Sequence, residues 1–348
     1  MPRADSRGPG FVQTGAASPR APGPRLRPYD RLMSGPSEDG IRPLVIVNPR
    51  ASRLADPTRL AQIVEATAAA VEHRFGVAPQ IEQGTVETAR AALAVEPGPP
   101  LVVVMGGDGT VREVAAAVLG REIPIAIIPV GTGNVLASAL DIRGVKPALD
   151  VIRSGQARRL DLGRARWREA ADGPTGEGAP QERLFTAACG MGLDARVMAA
   201  AEHEWKRRLK FGAYIGAAIR EFTRLEPAQF RIVADGERIE IVGHLVLVAN
   251  AGELVPGRIG PREPIDPTDG RLELIVLGGA GPLEALHGAA ALMLRTGELS
   301  GGVIRRSIRE VTIESEPLQP IEIDGDNHPP TNLEVSVVPG AVSVLVPR

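Results

Sequence analysis

The stretch Leu101–Thr110, LVVVMGGDGT, decides how this chain is read. Its opening run, Leu101-Val102-Val103-Val104, is apolar and mostly β-branched, the mark of a strand buried on both faces of a parallel sheet. The chain then turns through Gly106, Gly107, Asp108, Gly109 and Thr110. A helical pattern follows at once, with Val111, Val114, Ala115 and Val118 at i, i+3, i+4 and i+7. Glycines between a strand end and a helix start let backbone N–H groups approach an anion, and the helix N-terminus adds partial positive charge. The loop matches neither the GxGxxG fingerprint nor the lysine-bearing phosphate loop. Taken alone, such a turn also serves simply to redirect the chain.

A second loop of the same kind follows. Ile123–Val130 (IPIAIIPV) is another apolar run, succeeded by Gly131, Thr132, Gly133 and Asn134 and a helical stretch from Val135. Two successive parallel strands present both loops at one carboxyl edge, where open α/β sheets bind ligands. The helix from Val111 to about Leu119 is the expected crossover.

Outward from these loops, residues 1–40 are rich in proline, glycine and arginine and read as a disordered tail. The fold is expected to begin with a strand at Pro43–Val47, ending at Asn48-Pro49. A helix over Arg59–Phe75 and a strand over Ala78–Gln83 come next, then a helix over Val86–Ala94 opened by Thr85. This alternation predicts a doubly wound α/β domain over residues 41–160. From 161 to 348 the pattern changes to short strands with turn signals, an antiparallel sandwich or open barrel whose last residues return to the first domain. Expected strands are Asp161–Trp167, Leu184–Ala188, Gln229–Ala234, Arg238–Val242, His244–Asn250, Leu272–Leu277, Arg309–Glu314, Ile321–Ile323, Leu333–Val338 and Ala341–Val346. Asp235-Gly236 and Pro339-Gly340 look like hairpin turns. Helices are expected at Trp205–Leu225 and Pro282–Thr296.

The 348 residues suit two domains, and 43% hydrophobic content supports a full core. A net charge of −2 and only 3% aromatic residues argue against nucleic acid as a partner. The single cysteine, Cys189, precludes an intrachain disulfide and suits a reducing, cytoplasmic setting. No run approaches the roughly 18 apolar residues of a transmembrane segment.

With its motifs placed, the chain from Pro43 to Pro347 resembles the diacylglycerol kinase catalytic family, which includes bacterial lipid kinases and the sphingosine and ceramide kinases. The resemblance rests on Asn48-Pro49, on GGDGT at Gly106–Thr110, on PVGTGN at Pro129–Asn134 and on FTAACGMGLDA at Phe185–Ala195. DPTDGRL at Asp266–Leu272 and DGD at Asp324–Asp326 complete the set. Three positions depart from the usual pattern. PRAS follows Asn48 where the family has a glycine, Val135 stands where aspartate is usual, and Asp326 replaces glutamate.

The resemblance implies an ATP-dependent, magnesium-assisted phosphoryl transfer to a lipid hydroxyl, with diacylglycerol as the leading acceptor. Other acceptors, a sphingoid base, ceramide or another lipid alcohol, remain open. So do a non-catalytic homologue and a small-molecule kinase of the NAD kinase type. It assigns Asn48, Thr85, Gly106, Gly107, Asp108, Gly109, Thr110, Gly131, Thr132 and Asn134 to the nucleotide, with Asp108 alternatively capping the helix after it. Asp324 and Asp326 take the acceptor side, and as i and i+2 of a strand they would share one face. A structural Mg2+ is implied at Asp269 and the carbonyls of Asp266 and Arg271. Asp194 is implied near the lipid head group. The expected partner is a lipid substrate at the membrane surface, met by peripheral association. The basic run Lys206, Arg207, Arg208 and Lys210 and the apolar face of Pro282–Thr296 are candidates for that contact. A homodimer is a further expectation.

Overall fold

The computed structural model describes residues 41–84, 86–94, 97–168, 178–192, 227–252, 265–279, 281 and 303–348. The expected tail, Thr85, Asp194, the basic run from Lys206 to Lys210 and the helices at Trp205–Leu225 and Pro282–Thr296 lie outside the described residues.

The first part alternates as its hydrophobic pattern dictates: β1 (Leu44–Val47), α1 (Pro57–Phe75), β2 (Gln80–Gln83), α2 (Val86–Leu93), β3 (Val102–Gly106), α3 (Asp108–Ala117), β4 (Pro124–Pro129), α4 (Val135–Ala139) and α5 (Val145–Ser154). α1 shows the local logic. Asp56 accepts from the Thr58 N–H at 2.9 Å, Pro57 takes the first helical position, and Gly76, in the left-handed region at φ 70°, ends it. The strands run parallel in the order β2-β1-β3-β4. β1, β3 and β4 are buried along their whole length, which is why their sequences are continuous apolar runs.

The second part is β5 (Gln156–Arg168), β6 (Pro180–Phe185), β7 (Ala188–Gly192), β8 (Ala228–Ala234), β9 (Glu237–Ala249), β10 (Leu272–Gly278), β11 (Val303–Ile308), β12 (Glu310–Glu316), β13 (Ile321–Ile323), β14 (Asp326–His328) and β15 (Leu333–Val346). Its strand pairs are antiparallel, giving the sandwich-like β domain the sequence predicts.

Several boundaries differ from expectation, each for a physical reason. Pro339-Gly340 is not a hairpin turn. β15 runs straight through it against β5, with a slip of register between Val338 and Val342, and the Gly340 N–H is taken by Asp161 Oδ1 at 2.7 Å. Arg238–Val242 and His244–Asn250 form one strand, β9, because Gly243 accommodates a bulge: a Cβ there would lie 2.6 Å from the Leu277 carbonyl. The single strand expected at Leu184–Ala188 divides into β6 and β7, since side chains claim the intervening N–H groups. β11 was not foreseen; its alternation is broken by Arg305 and Arg306.

β15 also joins the two parts. Ser343 and Val344 pair in parallel with Pro124 and Ile125 of β4, so one continuous sheet runs through both. Its Leu333 and Val335 enter the core of the β domain, and Val342, Val344, Leu345 and Val346 enter that of the α/β domain. Burying these six side chains is worth on the order of 10 kcal/mol, far above the roughly 0–1 kcal/mol of an exposed ion pair. The shared strand, not charge pairing, therefore fixes how the two halves face each other.

Candidate active site

The site forms where the carboxyl ends of β1, β3 and β4 meet the hairpin between β13 and β14. The strand ends are laced together first. Asn48 Nδ2 donates to Thr110 Oγ1 at 2.9 Å, the Arg53 N–H reaches the Val130 carbonyl at 3.1 Å, and Thr132 Oγ1 meets Ser52 Oγ at 3.1 Å. The two glycine loops then touch through their backbones. A Cβ on Gly131 would lie 2.4 Å from Gly107 Cα, so no larger residue fits without moving one loop. Asn134, itself at φ 55°, folds the second loop by accepting from the Gly131 N–H at 3.0 Å and donating to the Gly131 carbonyl at 2.8 Å.

Asp108 does not cap its own helix, whose N-cap is Gly107. Its two oxygens accept from the backbone N–H groups of Asn134 at 2.6 Å and Val135 at 2.7 Å, clamping the first loop to the start of α4. Burial pushes its carboxyl above the usual carboxylate range; the Asn134 and Val135 N–H groups oppose this and the Asp324 charge adds to it. Val135, the residue standing in for the usual aspartate, packs against Gly252, where a Cβ would meet Val135 Cγ1 at 2.5 Å.

Asp324 and Asp326 do not share a face. Asp324 and Gly325 are the two-residue turn between β13 and β14, with φ 48° and 90°, so the strand alternation assumed for them does not apply. Asp324 turns inward. Oδ2 accepts from the Thr186 N–H at 2.8 Å and hydroxyl at 3.1 Å, and Oδ1 from the N–H groups of Ala187 at 2.9 Å and Ala188 at 3.1 Å. These are the contacts that separate β6 from β7. Burial raises the Asp324 carboxyl pKa, against the pull of those N–H groups and of Arg112. Asp326 turns outward, with its side chain 51% exposed, into a cavity of about 620 Å³ that it lines together with Asn48, Gly107, Gly109, Thr110, Gly131 and Thr132.

The same cavity holds residues that the motif reading passed over. Arg112 of α3 and Arg183 of β6 converge on Asp326 Oδ2, at 3.0 and 2.8 Å. Glu113 pairs with Arg112 at 3.3 Å and with Arg90 at 2.5 Å. A signal was present for Arg112: a charge beside Val111 and Val114, on a helix whose other inward positions are apolar. Arg183 gave none beyond strand alternation with Phe185.

Elsewhere, Asp266 Oδ1 accepts from the Thr268 N–H at 3.0 Å and hydroxyl at 2.6 Å, and Asp269 Oδ1 from the Arg271 N–H at 2.9 Å. Asp161 secures this turn through the Gly270 N–H at 2.7 Å. Among the described residues no group of three His, Cys, Asp or Glu gathers as a metal site, and no helix is long and apolar enough to cross a membrane.

Residues 42–165 match the diacylglycerol kinase catalytic domain, and residues 187–346 match the YegS C-terminal NAD kinase beta sandwich-like domain. A diacylglycerol kinase of Mycobacterium tuberculosis is 30% identical over 292 residues, covering 80% of this chain and 88% of that protein. The crystal structure of a diacylglycerol kinase from Bacillus anthracis shares the fold with a TM-score of 0.61 at 22% identity, over 88% of this chain and 96% of that one. The glycine loops, the β domain behind them and these relatives place the chain in the diacylglycerol kinase catalytic family of lipid kinases.

Proposed function

We propose that the protein transfers the γ-phosphoryl group of ATP to the hydroxyl of diacylglycerol at a membrane surface, giving phosphatidic acid. The observation that carries this reading is that Asp326 and both glycine loops line one cavity. The residues suit a polyphosphate. Gly109 lines the cavity with nothing within 4 Å of where its Cβ would stand, and the buried Arg112 leaves Nε without a hydrogen-bond partner among the described residues. The loops offer N–H groups and hydroxyls to the phosphates. A Mg2+ ion arriving with the nucleotide supplies further charge neutralisation.

In the proposed reaction the acceptor oxygen forms a bond to the γ-phosphorus. The bond from that phosphorus to the bridging oxygen breaks, its electron pair leaving on ADP, and the hydroxyl proton passes to the Asp326 carboxylate. Asp326 is favoured over Asp324 as proton acceptor because both Asp324 oxygens are already occupied by four donors. Asp324 then serves to fix the hairpin that presents Asp326.

The test is incubation of the full chain with labelled ATP, Mg2+ and mixed micelles carrying diacylglycerol, a sphingoid base, ceramide or monoacylglycerol. Label is expected in phosphatidic acid, and Asp326→Asn is expected to lower kcat by about 100-fold or more with little change in Tm. Label entering another lipid reassigns the acceptor; no label in any lipid overturns the reading.

A further inference from the structure

The described phosphate-binding loops carry no lysine, yet a phosphoryl group in transfer spreads negative charge over its equatorial oxygens and needs cations close by. The cavity provides them from beside the loops, on Arg50, Arg90 and Arg112, and from the facing β domain, on Arg183. Four arginines and three carboxylates line it, so before any ligand enters the cations are in excess. Two of these arginines stand apart from ordinary surface charges. The Arg112 side chain is only 6% exposed, and neither Nε nor Nη1 makes an aligned hydrogen bond among the described residues, although Nη1 lies 3.0 Å from Asp326 Oδ2. A buried guanidinium left with unsatisfied donors costs stability, which points to a ligand that completes it. Arg183 comes from the other domain, on β6, and meets the same Asp326 oxygen at 2.8 Å.

Two guanidiniums converge on one oxygen of that carboxylate, so they occupy it while they stay there and keep it from an acceptor hydroxyl. The arrangement makes sense as one half of an exchange. Resting on the proposed kinase reading, we infer that Arg112 and Arg183 bind the terminal phosphate of the nucleotide. In doing so they shift from Asp326 to the phosphate oxygens and release the Asp326 carboxylate to the acceptor hydroxyl. Guanidinium forks match phosphate at least as well as carboxylate, so the swap keeps their hydrogen bonding whole. The pair draws one arginine from each domain, so it forms around a nucleotide only when both walls of the cavity are in place.

The experiment compares MgATP and MgADP binding by calorimetry for wild type, Arg183→Gln and Arg112→Lys. Wild type is expected to bind MgATP more tightly than MgADP. Arg183→Gln should erase most of that preference, weakening MgATP about tenfold while MgADP changes less than about twofold. It should also lower kcat by about 100-fold or more. Arg112→Lys retains a charge at the buried position and guards against a variant that merely fails to fold; it should weaken MgATP selectively and to a smaller degree. If both variants keep the wild-type preference for MgATP, or lose affinity for both nucleotides equally, the two arginines are only a brace for Asp326 and the inference is wrong. A wild type that binds neither nucleotide overturns the kinase reading instead.

Discussion

The glycine loops and the β-domain face of the cavity are built from different materials. The two glycine loops present backbone: Gly107, Gly109 and Gly131 bring main-chain atoms to the cavity, with Arg50, Arg90, Arg112, Glu87 and Glu113 beside them, and Asp108 spends its carboxylate holding two main-chain N–H groups of the next loop. On the β side the surface is charged side chains, Arg183 of β6 and Asp326 of the hairpin whose own aspartate, Asp324, is turned inward onto four donors. Asp108 and Asp324 thus do the same work in different domains. Each buries a carboxylate to shape a loop, leaving the neighbouring groups for chemistry. The contrast teaches that a backbone wall fails when atoms are added to it, whereas a side-chain wall fails when single groups are removed from it.

Gly131→Ala is the strongest attack on the backbone wall. Its methyl would stand 2.4 Å from Gly107 Cα, and backbone cannot swing aside as a side chain can. Displacing either loop by about 1 Å is expected to lower kcat/KM about 100-fold or more, and the melting temperature should fall as well. Activity near wild type would break the distinction between the walls.

Asp324→Asn probes the inward carboxylate. The amide keeps one acceptor but turns a second donor toward the Thr186 N–H and hydroxyl, for an expected loss of about 3 kcal/mol in urea denaturation. The pH dependence follows from the raised pKa. A carboxyl whose folded pKa lies above its unfolded value contributes stability that is present below the ordinary carboxylate range and is lost as pH rises through the folded value. The gap between wild type and variant should therefore narrow from pH 4.5 toward pH 7.5. A gap that is constant or widens with pH would show that the N–H groups and Arg112, not burial, dominate at Asp324.

Gly109→Ala is the mildest change. Nothing lies within 4 Å of the added methyl, and Gly109 sits in α3, so stability should rise by a few tenths up to about 1 kcal/mol. The methyl nevertheless projects into the space expected for phosphate, and nucleotide affinity should drop a few-fold by calorimetry. A more stable variant with unchanged affinity would move the phosphates away from this part of the loop.

The sequence by itself determined the parallel sheet and both glycine loops, because a buried parallel strand must be an apolar run and a tight strand–helix turn needs glycine. Val102–Gly106 and Pro124–Pro129 fall where those two requirements put them. It also determined the family, through motifs spread along the chain. Only the tertiary structure decided what the acidic residues do. Asp108 caps α4 rather than α3, and Asp324 faces Thr186 to Ala188 while Asp326 faces the glycine loops. The turn at Asp324-Gly325 abolishes the two-residue period on which a shared face depends. Arg112 and Arg183 lie 71 positions apart in sequence and on different domains, and they meet at Asp326 through the shared strand β15 that sets one domain against the other. Local pattern reaches a few residues along the chain. The placement of a charge against its partner is set by long-range strand pairing, which no local pattern encodes.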